Sequence, residues 1–342
     1  VEECMDKCRE MIGWDEKYNV RDLGNGKVRG LGIGISMQGS GISSVDVGSV
    51  TIKVSDEGHY NMMIGAADMG TGCDTTLSQI AADCLDCDVD DIVVYGVDTD
   101  ISPYDSGSYA SSTAYVTGNA TIKACTELKK KICAIGARIL EVEADAVDFD
   151  GKVVYVKGEE EKNVTLKDIS TKNMCGCELT LEVSASHTSP KSPPPFMASM
   201  AEVEVDTETG EIKLVDFVSC VDCGTPINPA LVKIQVEGGV AQGIGMALYE
   251  DVTYTDRGMI AENSFMQYKI PSRVDLPTFR TEIAKGSYEP TGPFGVKSVG
   301  EVVINTASPA IAHAVANATG VRIRELPITP EKILRGLHKI GE

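Results

Sequence analysis

One stretch near the middle of the chain constrains the fold more than any other. Residues 107–118 read Gly-Ser-Tyr-Ala-Ser-Ser-Thr-Ala-Tyr-Val-Thr-Gly, and they connect a run typical of a strand (91–97) to a run typical of a helix (119–140). Small and hydroxylated residues at such a turn leave free backbone N–H groups at the helix start, where proteins often hold an anion. An ordinary helix cap with surface serines would look the same, so this stretch alone leaves both interpretations open.

The other elements continue this mixture of strands and helices and predict an α+β fold with mixed α/β character. Strands are predicted at 29–37, 48–54, 59–64, 147–149, 152–156, 200–205, 212–221, 248–255 and 281–284. Helices are predicted at 2–12, 76–85, 165–170, 231–247, 309–320 (capped by Ser308) and 330–337. In the first of these strands Gly30, Gly32 and Gly34 lack the spacing of a dinucleotide motif, and they predict a strand packed closely against other backbone.

Breaks in this pattern divide the chain into three predicted parts. Residues 1–28 read as a linker helix and a polar turn (22–27), 29–195 as a first subdomain and 196–342 as a second. The stretch 171–195 is predicted to be irregular and ends in three prolines, which is typical of a subdomain boundary or a long crossover.

Charge and hydropathy exclude two classes of partner. The net charge of −20 argues against a nucleic-acid partner, because binding phosphates needs clustered Lys and Arg side chains. No apolar run approaches the length of a membrane span and no signal peptide is visible, so we expect no membrane partner and a cytoplasmic location.

The cysteines suggest a metal site only weakly. The chain has eleven, an odd number with irregular spacing, which does not indicate a disulfide framework. Cys84 and Cys87, and likewise Cys220 and Cys223, have the spacing of zinc ligands. Because the pairs lie far apart in sequence, at a helix end and in a strand, buried free thiols are favoured over structural zinc.

Three further glycine-containing segments lead to a family resemblance. They are 64–76, 235–245 and 297–301. Together with 107–118, and in this order along the chain, they resemble segments of the molybdenum hydroxylases, the xanthine dehydrogenase and aldehyde oxidoreductase family, which uses a molybdopterin cofactor. The resemblance runs from about residue 29 to residue 337. It covers only the second molybdopterin-binding domain, and it implies two α/β subdomains of the aldehyde oxidoreductase type.

Glu301 is the principal candidate for chemistry. It lies in a glycine-containing loop before an apolar run, where a carboxylate is expected to lose hydration and to suit a general base; a solvated surface glutamate is the alternative. The resemblance implies that Glu301 is the base, although Val302 and Val303 stand where relatives usually have prolines or small residues. We also consider that Lys297 offsets the charge of Glu301 or steers an acidic substrate.

The resemblance further implies a set of cofactor-binding residues. Ala110 would lie beside the molybdenum without ligating it, and Tyr109 is considered as a wall of the substrate pocket. Thr71 stands where many relatives have Gln. The implied cofactor-binding residues are Met69, Gly70, Thr71, Tyr109, Ala110, Ser111, Ser112, Thr113, Gln235 and Gly300.

The function implied is a molybdenum-dependent hydroxylase that acts on an aromatic nitrogen heterocycle. Nicotinate is favoured and a purine comes next, and the inserted oxygen derives from water. The cofactor would be molybdopterin with molybdenum, in the cytosine dinucleotide form, with sulfur or selenium as the terminal ligand. A large molybdopterin subunit, an FAD subunit and a 2Fe–2S subunit would be partners, in the subunit arrangement that nicotinate dehydrogenases have, and activity would require the large subunit.

Several alternatives remain open from the sequence. The chain could be the C-terminal molybdopterin domain of a longer xanthine, purine or aldehyde oxidoreductase. Within the family, carbon monoxide dehydrogenase and hydroxybenzoyl-coenzyme A reductase also remain possible. Outside it, a structural assembly protein stabilised by zinc and a module that binds another nucleotide at its helix starts are the remaining candidates.

Overall fold

The computed structural model describes residues 1–174 and 180–341, and it confirms the predicted α+β class. The helices are α1 (Glu2–Ile12), α2 (Trp14–Lys17), α3 (Cys73–Leu85), α4 (Thr113–Leu140), α5 (Leu166–Met174), α6 (Pro229–Leu248), α7 (Ala307–Thr319) and α8 (Pro330–Gly336). The strands are β1 (Arg21–Gly24), β2 (Lys27–Met37), β3 (Val47–Val54), β4 (Tyr60–Ile64), β5 (Ile92–Tyr95), β6 (Val147–Phe149), β7 (Val153–Val156), β8 (Glu159–Thr165), β9 (Glu182–Thr188), β10 (Phe196–Asp206), β11 (Ile212–Asp222) and β12 (Arg280–Ile283). Within these described ranges no helix combines the length and the apolar character that a membrane crossing requires.

A five-stranded sheet with the order β1-β2-β10-β11-β12 forms one half of the molecule. Helices α6 and α7 cover one face, and α1 packs its buried Cys4, Cys8 and Ile12 onto the other face. Because β2 pairs with β10 along its whole length, the sheet includes chain from both predicted subdomains. The division at residue 195 remains a prediction.

The contact between β2 and α7 explains the alternating glycines. A Cβ built on Gly30 would lie 2.5 Å from the backbone nitrogen of Ala318, and Cβ atoms on Gly32 and Gly34 would overlap the backbone of α7 in the same way. Helix and strand therefore approach more closely than a side chain at any of these three glycine positions would allow. The predicted packing of this strand against other backbone is confirmed.

A second half is organised by the long helix α4. It packs against the four-stranded sheet β5-β4-β3-β9, against α3, and against the three-stranded sheet β6-β7-β8. A continuous apolar core of Leu, Ile, Val and Ala side chains joins these elements. This packing fixes the start of α4, and with it the turn of residues 107–113.

Several predicted elements need correction. Within the stretch 171–195, which the sequence predicts to be irregular, residues 175–179 lie outside the described residues, residues 171–174 belong to α5, and residues 182–188 form β9, which pairs with β3. The alternation of β9 is hidden among polar residues and becomes regular only beside that partner. Residues 248–255 form no strand, and only Tyr254 makes an isolated bridge, to Ile260. The polar turn predicted at 22–27 is largely a hairpin between β1 and β2.

Helix α7 begins differently from the prediction. Its N-cap is Thr306, whose side chain makes no capping hydrogen bond, and Ser308 lies inside the first turn. The Ser308 hydroxyl donates to the carbonyl of Gly243 on α6 at 3.0 Å. Packing between the two helices therefore uses the hydroxyl that local sequence assigned to the cap. Most other predicted elements are present with shifted ends; α4, for example, starts at Thr113 rather than residue 119.

Candidate functional site

Three loops that are distant in sequence meet at Glu301. The Glu301 N–H donates to the hydroxyl oxygen of Ser111 at 2.9 Å, and the Ala110 N–H donates to Glu301 Oε1 at 3.1 Å. The third loop begins at Gln38, whose side-chain amide donates to Glu301 Oε2. Both carboxylate oxygens therefore have a hydrogen-bond donor, which gives the side chain a defined direction.

The turn before α4 has an unusual backbone. Ala110 and Ser111 have positive φ values of 50° and 55°, which L-residues other than Asn and Asp adopt rarely. Ser112 is the N-cap of α4, yet its hydroxyl donates to the carbonyl of Gly107 and does not cap the helix. The first N–H groups of α4 thus receive no cap from this side chain and lie beside a strained turn, and anion binding at this position remains a prediction.

The loop of residues 68–72 is held from within by Asp68. Its carboxylate accepts the N–H groups of Gly70 at 2.9 Å and Gly72 at 3.1 Å. Partial burial raises the pKa of Asp68, but the backbone N–H donors outweigh this effect and lower its pKa below the usual value of 3.8. Asp68 therefore satisfies backbone donors of the loop, among them the N–H of Gly72, which is the N-cap residue of α3.

Helix α6 completes the site from the other side. Asn228 caps the helix by accepting the Leu231 N–H at 3.1 Å. Further along the same helix, the Gln235 amide donates to the carbonyl of Gly70 at 3.4 Å. A predicted site residue on α6 is thereby joined to the predicted loop of residues 68–72.

Between these elements lies a cavity of about 240 Å³. Its lining includes seven of the predicted site residues: Met69, Thr71, Ser111, Thr113, Gln235, Gly300 and Glu301. Four others are outside the lining: Gly70 bonds to Gln235, Ala110 bonds to Glu301, Ser112 is buried behind the turn, and Tyr109, which precedes Ala110 in the chain, has 43% of its surface exposed. Residues that the sequence predicts to form one site therefore lie close together in the fold, and their individual roles remain predictions.

Two expectations about charge and hydration differ from the structure. Lys297 is buried and its ammonium donates to Asp222 Oδ2 at 2.8 Å, so it is committed to that carboxylate and not to Glu301. Burial opposes ionisation of Asp222, but the bond from Lys297 keeps the pKa of Asp222 below its usual range. Glu301 itself is exposed in this chain, because Val302 and Val303 turn into the core behind it and leave the carboxylate at the surface.

The paired cysteines do not assemble a metal site within the part of the chain that the structure describes. The only group of three potential ligands there is Asp68, Cys73 and Asp74. Burial raises the pKa of Cys87 and of Cys223 to about 12, so both are protonated thiols at neutral pH in the metal-free chain.

Sequence reasoning missed three residues that shape the site. Asn228 could have been found, because it directly precedes a proline at the first helical position. Asp68 and Gln38 carry no such local signal. Their importance depends on which loops the fold places beside them.

The donors around the cavity suit a large anionic group. Hydroxyls of Ser111 and Thr113, the start of α4 and the Gln235 amide all lie around it, and a Cβ added at Gly70 would meet no atom within 4 Å. Hydroxyl, amide and backbone N–H donors are what the oxygens of a phosphate-bearing cofactor require. The residues present therefore fit a molybdopterin cofactor.

Comparisons with known proteins identify the family of this domain. Residues 7–277 match the family model described as "Molybdopterin cofactor-binding domain". The chain is 38% identical over 343 residues to the "Probable hypoxanthine oxidase XdhD" of Escherichia coli, and this alignment covers 99% of this chain and 35% of that protein. It is 30% identical to the "Nicotine 6-hydroxylase large subunit" of Paenarthrobacter nicotinovorans, over 99% of this chain and 44% of that protein.

A solved structure shows the same fold. The quinoline 2-oxidoreductase of Pseudomonas putida 86 superposes with a TM-score of 0.87 at 27% identity, over 99% of this chain and 46% of that one. The chain therefore spans less than half the length of each of these three proteins.

Proposed function

This chain belongs to the family of molybdopterin cofactor-binding domains, and from that premise we propose that it forms one part of the active site of a molybdenum hydroxylase. The observation that carries the proposal is the arrangement of Glu301. Its carboxylate is held by two donors at the edge of a cavity whose lining fits the cofactor. A carboxylate with a defined direction beside a binding cavity is what a general base needs.

Each residue of the site has a separate task in this proposal. A bound molybdenum cofactor would supply the oxygen-transfer and electron-accepting chemistry that side chains lack. Ser111, Thr113 and Gln235 would donate hydrogen bonds to it, and Ala110 leaves space because its side chain is a single methyl group. Glu301 would accept, at a carboxylate oxygen, the proton that the water-derived oxygen loses as that oxygen attacks the substrate carbon. Tyr109 would lie at the wall of the substrate pocket.

The substrate class we propose is an aromatic nitrogen heterocycle, in which a carbon next to the ring nitrogen is electron-poor. Nicotinate is the favoured member of this class, and the pyridine-containing substrate named for the nicotine 6-hydroxylase supports that choice. A purine is the second candidate, and the 38% identity to a probable hypoxanthine oxidase specifically favours it. An activity assay with nicotinate, hypoxanthine and xanthine in parallel distinguishes these substrates.

The remaining half of the active site would come from other polypeptide. We propose a large molybdopterin subunit as direct partner, and an FAD subunit and a 2Fe–2S subunit as electron acceptors, in a cytoplasmic complex. A longer polypeptide that contains this chain is the alternative, and the 35–46% of each matched protein that the chain covers is compatible with both. The cytosine dinucleotide form of the cofactor and a selenium ligand also remain proposals.

The test begins with metal analysis of the native protein that contains this chain. About one molybdenum per chain is expected, with iron and flavin if the partners are as proposed. Zinc without molybdenum would overturn the proposal in favour of a structural role.

Substitution then tests the base. Glu301→Gln keeps the shape of the side chain but removes its basicity, so we expect turnover to fall about 10²–10⁴-fold with molybdenum content unchanged. The matched control is Glu325→Gln, which changes an exposed glutamate outside the cavity lining. Equal turnover of the two variants would remove Glu301 from the role of base.

A further inference from the structure

Gln38 reaches the Glu301 carboxylate from a loop that the family resemblance does not single out. Its amide donates to Oε2, while the Ala110 N–H donates to Oε1. We propose that Gln38 is a positioning residue that holds Glu301 in the orientation needed to accept a proton. This inference rests on the proposed function, because it concerns the same base.

The backbone around Gln38 is fixed independently of Glu301. Met37, the residue before it, is the last residue of β2 and pairs with Phe196 at the end of the five-stranded sheet. The Gln38 N–H then donates to the carbonyl of Pro195 at 3.4 Å. The amide therefore extends from the end of a sheet, which is a more rigid support than a free loop.

A serine pair ties this loop to the loop of Glu301. The Ser298 N–H donates to the Ser40 hydroxyl at 3.0 Å, and the Ser298 hydroxyl donates to the carbonyl of Gly39 at 3.0 Å. The Ser40 hydroxyl in turn donates to the carbonyl of Pro193 at 2.6 Å. These bonds keep residues 38–40 and 298–301 at a constant separation, so an amide on one loop can direct a carboxylate on the other.

The donors to Glu301 are electrically neutral, and this suits a base. In the described ranges its carboxylate is held by an amide and a backbone N–H, while the nearby Lys297 is paired with Asp222. A cation at the same position would stabilise the charged carboxylate more strongly and make it a weaker proton acceptor. Gln38 therefore orients the base with a neutral donor, whereas a lysine or arginine would place a positive charge beside it.

Orientation matters here because Glu301 is exposed in this chain. A glutamate side chain has several staggered rotamers, and only some direct the carboxylate over the cavity. Misplacement of a reacting group by about 1 Å can reduce a rate about 100-fold. We therefore expect loss of the Gln38 amide to lower kcat about 10–100-fold and to leave the substrate KM largely unchanged.

The experiment uses the intact molybdenum-containing protein with three variants. Gln38→Ala removes the donor, and Gln38→Glu keeps the shape but places a second carboxylate against Glu301. Ser43→Ala is the control, because it changes an exposed hydroxyl of the same loop that donates to the carbonyl of Pro190, away from Glu301. We expect kcat to decrease in the order Ser43→Ala, Gln38→Ala, Gln38→Glu, with equal molybdenum content in all three.

A structural readout complements the kinetics. In the Gln38→Ala protein, a crystal or cryo-electron microscopy structure should show the Glu301 carboxylate in more than one rotamer. A single unchanged rotamer together with parental kcat would overturn the inference. A decrease confined to kcat/KM through a higher KM would also overturn it, because it would place Gln38 in substrate binding.

The Glu301→Gln variant measured alongside separates the two levels of the argument. If Glu301→Gln is inactive and Gln38→Ala equals the parent protein, only the role of Gln38 is wrong. If Glu301→Gln retains full turnover, the proposed base itself is wrong.

Discussion

The contact between β2 and α7 makes a sharp stability prediction at Gly30. In Gly30→Ala the added Cβ would lie 2.5 Å from Ala318 N and 2.7 Å from Ala314 O, both backbone atoms of α7. Ordinary van der Waals contact begins at 3.4 Å, so the helix would have to withdraw by about 0.9 Å. Helix α7 is packed along its length against β2 and β10, so such a shift would disturb a large part of the core.

Overpacking of this kind costs about 1–3 kcal/mol, and the upper end applies because rigid backbone, not a flexible side chain, is in the way. We therefore expect Gly30→Ala to lower the free energy of unfolding by about 3 kcal/mol. With an unfolding entropy of about 2.1 cal/mol/K per residue, the 342 residues of this chain convert that loss into a Tm lower by about 4 °C. Thermal unfolding followed by circular dichroism, at fixed protein concentration and cofactor content, measures this change.

Gly238→Ala is the matched control. Gly238 lies on the exposed side of α6, and a Cβ there would meet no atom within 4 Å. The same substitution should therefore raise stability by up to about 1 kcal/mol, because alanine favours a helix more than glycine does. If Gly30→Ala and Gly238→Ala had equal Tm values, the close approach of β2 and α7 would be refuted.

Three further changes test other parts of the site. Lys297→Met leaves the carboxylate of Asp222 buried and unpaired, so unfolding free energy should fall by about 3–5 kcal/mol in denaturant titrations, and adding Asp222→Asn should restore part of it. Asp68→Asn should lower Tm at neutral pH. Because the folded-state pKa of Asp68 is below 3.8, its contribution is complete well above pH 3.8 and is lost as pH falls through the lower folded value, so parent and variant should converge in acid. Ala110→Phe should reduce turnover at least about tenfold by crowding the cofactor position, and unchanged turnover would mean that this turn does not border it.

Much of the chain could be predicted from local pattern. The alternation of strands and helices, the glycines of β2 and the hydroxyl-rich turn before α4 all act within a few residues, where periodicity, turn chemistry and helix termini decide the structure. Strand β9 was missed because its polar residues conceal its alternation, and it becomes a strand only through pairing with β3. The segment 248–255, which is exposed from residue 251 onward, shows the converse error, because its alternation of apolar residues predicts a strand although no partner strand lies beside it.

The sequence by itself determined the four segments that identify the family, the candidate base Glu301 and the donors that fit a cofactor. Only the tertiary structure decided what surrounds that base. Glu301 is hydrogen-bonded to Ser111, 190 residues away in the chain, and to Gln38, 263 residues away. Lys297 forms its ion pair with Asp222 and not with Glu301. Contacts at such separations depend on sheet register and helix packing, which no local pattern encodes, and this is why Gln38 became visible only in the folded chain.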